Sequence, residues 1–106
     1  MPKQQFFMRL ITPRPVFPGS MTEQELGLMK QHVQYVGRAF DAGMVLAYGP
    51  VLDPAGAFGI AVLEMNDLAE AEEFGRRDPS VVGGMNTFTL TPMKIAASQS
   101  SKASAP

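Results

Sequence analysis

The strongest periodic pattern in the sequence is an amphipathic helix in its first half. Thr22 and Glu25 have the spacing of a capping box, as do Ser20 and Glu23, so the helix is expected to begin near residue 22. Gly43 is expected to end it in the left-handed conformation. Between these ends, apolar residues recur every three or four positions and form one stripe, at Leu26, Met29, Val33, Val36 and Phe40.

Four strand-length patterns surround this helix and a second, shorter one. Residues 4–12 and 44–52 are apolar runs, residues 58–65 follow a turn at 53–56, and residues 87–95 begin by alternating threonine with apolar residues. Asn66 or Asp67 is placed to cap the second helix. The order strand, helix, strand, strand, helix, strand predicts an α+β fold, the ferredoxin-like βαββαβ sandwich with a four-stranded antiparallel sheet.

The third strand is apolar on both sides, which predicts a second subunit. Phe58, Ile60 and Val62 alternate with Ala61, Leu63 and Met65. An antiparallel sheet with a solvated face normally alternates polar and apolar residues, so the helix-free face is expected to pack on another copy in a homodimer. The 106 residues fit one domain, assigned to residues 1–95, and residues 96–106 are expected to form a flexible tail.

Composition excludes several classes of function. Nine basic against ten acidic residues leave no positive field for nucleic acid. The absence of cysteine excludes disulfides and cysteine zinc sites and suits a cytoplasmic location. No apolar stretch reaches the length of a membrane span. Glu70, Glu72 and Glu73 are interpreted as a solvated helix face, so no metal site is predicted.

His32, the only histidine, is the first candidate for chemistry. An imidazole has an ordinary pKa of about 6.5 and can both accept and donate a proton near neutral pH. His32 is expected about 70° from the centre of the apolar stripe, either as a base facing a cleft or as a side chain spanning core and solvent. Asp78, before Pro79, either orients one ring nitrogen of His32 or stops a helix by binding backbone amides.

Two further residues are candidates for binding a substrate. Arg9 is a charge within an apolar strand, so it either binds an anionic or enolate oxygen or forms an ion pair across the sheet or the dimer seam. Tyr48, before Gly49 and Pro50, either lines the pocket with its hydroxyl or packs as an ordinary strand-end residue.

Residues 6–95 resemble the YciI-related (YCII) domain family, small bacterial proteins of the dimeric alpha+beta barrel superfamily. The resemblance rests on the helix carrying His32, the segment from Gly43 to Pro50, and the turn of Asp78 and Pro79. It implies that His32 and Asp78 share a cleft as an acid/base pair. Ser80 stands where an aromatic residue commonly follows that turn, and it is expected to form part of the pocket wall.

The resemblance also implies a type of reaction. Some relatives are implicated in elimination chemistry on chlorinated aromatic diols, and the wider superfamily includes lactone isomerases and cofactor-free monooxygenases. The resulting prediction is a cofactor-free lyase or isomerase, similar to a dehydrochlorinase or a muconolactone isomerase, acting on a small cyclic or aromatic compound. The resemblance assigns roles to His32 and Asp78 only, as the catalytic residues, and Arg9, Tyr48 and Ser80 are the candidates for binding the substrate. The alternatives are a non-catalytic dimeric module that binds a metabolite or assists a neighbouring enzyme, and a cofactor-free oxygenase.

Overall fold

The computed structural model describes residues 2–12, 14 and 18–99. Its elements are β1 (Gln4–Ile11), α1 (Glu23–Asp41), β2 (Val45–Val51), β3 (Phe58–Met65), α2 (Leu68–Arg76), α3 (Pro79–Val82) and β4 (Thr87–Met93). The predicted α+β class and the order of the four strands and two long helices are confirmed. The four-residue helix α3 is an addition that the sequence patterns did not indicate.

The four strands form one antiparallel sheet in the order β2-β3-β1-β4. The first and third strands therefore lie at the centre, as in the predicted ferredoxin-like sandwich. Met8 in β1 is opposite Ala61 in β3 on one side and Leu90 in β4 on the other. This register gives the three strands a common apolar face.

The ends of the long helices follow from local hydrogen bonds. The Thr22 hydroxyl accepts a hydrogen bond from the Glu25 amide, and the Glu25 carboxylate accepts one from the Thr22 amide. Of the two possible capping boxes, the one at Thr22 is therefore formed. Gly43 has a φ of 82°, which confirms the predicted left-handed cap. Asp67, rather than Asn66, caps α2.

Helices α1 and α2 cover the apolar face of the sheet and enclose the core. The largest fully buried apolar side chains are Phe6, Met8, Leu63, Met65, Val36 and Val45. The two helices also contact each other, since the Tyr35 ring stacks on Phe74 with centroids 5.0 Å apart and its hydroxyl donates to the Phe74 carbonyl.

The predicted apolar stripe of α1 is only partly buried, which corrects the expected orientation of this helix. Leu26, Val33 and Phe40 are about half exposed, at 50%, 52% and 46%, whereas Val36 is 1% exposed. Periodicity identified two adjacent apolar rows, but the sheet covers one of them. The His32 side chain is 13% exposed, so it faces the core more directly than a border position would.

The opposite face of the sheet carries no helix among the described residues. Phe7, Ile60 and Val62 point to this face and are half-buried within one chain. The predicted two-sided apolar character of β3 is therefore confirmed.

Of the predicted tail, residues 96–99 have neither helix nor strand, and residues 100–106 lie outside the described residues, so its flexibility stays a prediction.

Candidate functional site

His32 and Asp78 are in direct contact. Helix α1 places the His32 ring Nδ1 2.6 Å from Asp78 Oδ2. Asp78 is completely buried, while the His32 side chain keeps a small exposed fraction. The structure thus brings together the two residues that the sequence proposed as a pair.

The second carboxylate oxygen of Asp78 has a structural role. Asp78 is the N-cap of α3, with Pro79 in the first turn. Its Oδ1 accepts one hydrogen bond from the Ser80 amide at 2.8 Å and another from the Ser80 hydroxyl at 2.7 Å. The carboxylate thus both contacts His32 and binds a backbone amide, but it caps the start of α3 rather than stopping a helix.

These contacts determine the charge of Asp78. Burial is the largest single influence and would raise the pKa of this carboxyl. The hydrogen bond and charge of His32 and the two hydrogen bonds from Ser80 act in the opposite direction, and together they hold the pKa below its ordinary value. Asp78 is therefore an ionised acceptor at neutral pH, and the shared proton belongs on His32 Nδ1.

The His32 ring also lines a cavity of about 250 Å³ between α1 and the sheet. Within the described part of the chain, no hydrogen bond occupies the other ring nitrogen, Nε2. Apolar groups such as Met29, Val36 and Leu52 form most of the cavity wall. The side chains with polar atoms among the described lining residues are Thr12, His32, Tyr48 and Asn86. The arrangement can present a basic nitrogen to a small molecule in an apolar environment.

A family model for the YCII-related domain matches residues 5–94. The chain belongs to this family. The match covers every strand and α-helix apart from the first residue of β1, so it includes both members of the His32 and Asp78 pair. No curated protein matches this YCII-related domain.

The three predicted binding residues of this YCII-related domain lie in different places. Tyr48 lines the same cavity as His32, with its ring edge against Phe40 at 5.8 Å between centroids. Ser80 is completely buried behind Asp78 and is not among the lining residues. Its small hydroxyl is in contact with the carboxylate, to which it donates a hydrogen bond.

Arg9 lies on the other face of the sheet from His32. It alternates with Met8 and Leu10, which point to the helices, and its guanidinium lies over the Phe58 ring at 3.9 Å from the centroid. Arg9 is opposite Ile60 and Thr89 in the neighbouring strands. The geometry does not bring Arg9 to the His32 cavity.

Sequence reasoning missed two polar residues of the wall, Thr12 and the more deeply buried Asn86. Asn86 is 4% exposed, and it follows Gly83 and Gly84 just before β4. A polar side chain between an apolar residue and a strand could have been noticed, because a buried amide needs a partner. Its spacing alone gave no periodic signal that tied it to His32.

The described residues contain no group of three or more His, Cys, Asp or Glu side chains that could hold a metal ion. None of the helices in this part of the chain is long and apolar enough to cross a membrane.

Proposed function

We propose that this YCII-related domain is a cofactor-free acid/base enzyme of the lyase or isomerase type, acting on a small cyclic or aromatic compound. The observation that supports this most directly is the 2.6 Å contact between His32 Nδ1 and Asp78 Oδ2 at the wall of an apolar cavity. Asp78 holds the proton on Nδ1, and Nε2 keeps its lone pair for a substrate.

The proposed reaction begins with proton transfer to His32. Nε2 removes a proton from an acidic carbon of the substrate, and Asp78 stabilises the imidazolium that results. In an isomerisation the same Nε2–H returns the proton to a different carbon. In an elimination the electron pair of the broken C–H bond forms a double bond, and the leaving group departs as an anion. Positioned proton transfer of this kind contributes roughly 10² to 10⁴ to a rate.

Other residues have supporting roles in this proposal. Tyr48 contacts the substrate from the cavity wall, and Ser80 is a positioning residue that acts through Asp78. Arg9 is left out, because it lies on the other face of the sheet. We also propose a homodimer built on the helix-free face, where Phe7, Ile60 and Val62 are only half-buried within one chain. We propose a cytoplasmic location as well, which the absence of cysteine suits.

Asp78→Asn tests the dyad sharply because Ser80 fixes how the new amide is oriented. The amide oxygen is expected to take the place of Oδ1, where it accepts both Ser80 hydrogen bonds. The amide NH₂ then points at His32 Nδ1, which must accept, so the ring proton moves to Nε2. The variant should keep its fold and lose the basic nitrogen that faces the cavity.

The experiment combines NMR with a substrate screen. Nitrogen-15 shifts of the His32 ring are expected to show a proton on Nδ1 in wild type and on Nε2 in Asp78→Asn. Small lactones, cyclic enols and halogenated hydroxyarenes are screened for isomerisation or halide release, with a loss of about 10²-fold or more expected in the variant. Asp67→Asn makes the same change at the N-cap of α2 and should leave activity unchanged. Turnover that survives Asp78→Asn would contradict the mechanism, and ligand binding with no turnover would favour the non-catalytic module.

A further inference from the structure

The Asn86 side chain holds a buried oxygen with no partner. Asn86 is 4% exposed and lines the His32 cavity, yet its Oδ1 has no hydrogen-bond partner within the described chain. Its Nδ2 donates to Met29 Sδ at 3.9 Å. Only the NH₂ group can donate to a thioether, so the carbonyl oxygen is the unpaired atom.

The backbone fixes Asn86 next to the dyad. Its amide N–H donates to the Ser80 carbonyl at 3.0 Å, as does the Met85 amide. Ser80 in turn holds Asp78 through its amide and its hydroxyl. One residue thus anchors both the carboxylate behind His32 and the backbone from which the Asn86 side chain extends.

A buried carbonyl without a partner is destabilising, so a hydrogen-bond donor that reaches this oxygen from the cavity is favoured. Oδ1 has almost no accessible surface as it stands. The contact between Asn86 and the Met29 sulfur is long and weak, and a methionine side chain moves easily. A ligand that displaces Met29 or turns the amide about its terminal bond reaches this oxygen.

The residues of the cavity wall limit which hydrogen-bonding groups and which charge the ligand can have. An amide oxygen only accepts hydrogen bonds, so the ligand must supply a donor. The described lining residues include no lysine or arginine, and most of the wall is apolar. An anionic ligand would lose its hydration there without a lysine or arginine to pair with.

We propose that Asn86 is a specificity-determining residue whose Oδ1 accepts a hydrogen bond from an uncharged donor group, a hydroxyl or N–H, on the ligand of the His32 cavity. This inference rests on the proposed function only in taking that cavity as the ligand site. It adds that the site selects for a donor and against an anion.

Three probes that share one ring test this selection: phenol has a donor, anisole has none, and benzoate is an anion. Their affinities are measured by NMR titration of the labelled protein, following the Asn86 side-chain amide and the His32 ring. Wild type is expected to bind phenol about ten-fold more tightly than anisole and to bind benzoate least. Equal affinities for phenol and anisole would overturn the proposal.

Asn86→Leu keeps a similar size and removes the acceptor, so the preference for phenol over anisole should disappear. Asn86→Asp keeps an acceptor at the same place and should preserve the preference, which provides a second variant if the leucine protein does not fold. Asn66→Leu is the matched control, because it makes the same substitution at an exposed asparagine that does not line the cavity. Its phenol preference should equal that of wild type. A preference that persists in Asn86→Leu would contradict the proposal.

The two proposals fail in different ways. Selective binding without turnover in any screen would contradict the proposed enzyme alone. Turnover together with a phenol preference that is the same in wild type and Asn86→Leu would contradict the selective role of Asn86 alone.

Discussion

At the residue scale, the central feature is that the two carboxylate oxygens of Asp78 bind different residues. Oδ2 contacts His32, and Oδ1 accepts hydrogen bonds from Ser80. Sequence reasoning identified both contacts, since an Asp-Pro pair suggests a helix-stop turn in which the carboxylate binds backbone amides, and the family resemblance suggests a dyad. It could not assign them together, because the outcome depends on Ser80 donating twice to Oδ1 and leaving Oδ2 for His32. A hydroxyl behind a carboxylate has no periodic signature.

The lowered pKa of Asp78 predicts how stability depends on acid. A carboxyl whose pKa is lower in the folded than in the unfolded chain stabilises the fold fully above its unfolded value, near 4. The contribution of Asp78 is therefore lost as the pH falls from about 4 through its lower folded value. Urea unfolding of wild type and Asp78→Asn at pH values from 5 downward measures this.

The free energy of unfolding of wild type should exceed that of Asp78→Asn by about 1 to 3 kcal/mol at pH 5. This difference should shrink below pH 4. Asp67→Asn, which alters an exposed cap rather than a buried pair, gives the comparison at the same pH values. A difference that stays constant down to pH 2.5 would show that folding does not lower the pKa of Asp78.

At the element scale, the long patterns were predictable and the short ones were not. The ends of α1 follow from Thr22 and Gly43, and the strand order follows from alternation and turns. Helix α3 was missed because four residues are too few to show a period. The orientation of α1 was partly wrong because two apolar rows lie side by side, and only the sheet decides between them.

Close packing of α2 on β4 makes Gly75 sensitive to substitution. A Cβ at this position would lie 2.5 Å from the Phe88 ring, with two more ring atoms within 2.8 Å. Gly75→Ala is therefore expected to lower the free energy of unfolding by about 1 to 2 kcal/mol, despite the better helix propensity of alanine. Urea unfolding monitored by circular dichroism measures the change.

Gly27→Ala is the matched control, since a methyl group on this α1 glycine would have no neighbouring atom within 4 Å. It should raise the free energy of unfolding by about 0.5 to 1 kcal/mol. A stabilised Gly75→Ala protein would mean that α2 and β4 are farther apart than these distances indicate.

At the scale of the whole molecule, the sheet has one covered and one uncovered face. The helices close the face that contains Met8 and Leu63, while Phe7 and Val62 point to the other. Sequence alternation correctly predicted apolar residues on both sides of β3. It left the side of Arg9 open, because β1 has apolar residues at both alternating positions, Phe6 and Phe7 as well as Leu10 and Ile11.

The helix-free face of the sheet predicts a dimer, and a single charged substitution on this face is expected to prevent dimerisation. Val62→Lys places an ammonium group at the centre of this face, where a partner would have to desolvate it, so the variant should be monomeric. Light scattering after size-exclusion chromatography measures the mass. Ala69→Lys adds the same charge on the exposed surface of α2 and should leave a dimer. A Val62→Lys protein with wild-type mass would place the interface elsewhere.

The hydrogen bonds from the Met85 and Asn86 amides to the Ser80 carbonyl have a consequence for how such a protein can change over time. They depend only on main-chain atoms, so the course of the chain at position 86 is independent of the side chain that stands there. Under the proposed function, replacements at this position are expected to alter which compounds the cavity binds without disturbing the contact between His32 and Asp78. Within residues 78–86, the proposed role of Asp78 restricts substitution at one end. Position 86, at the other end, is free to vary.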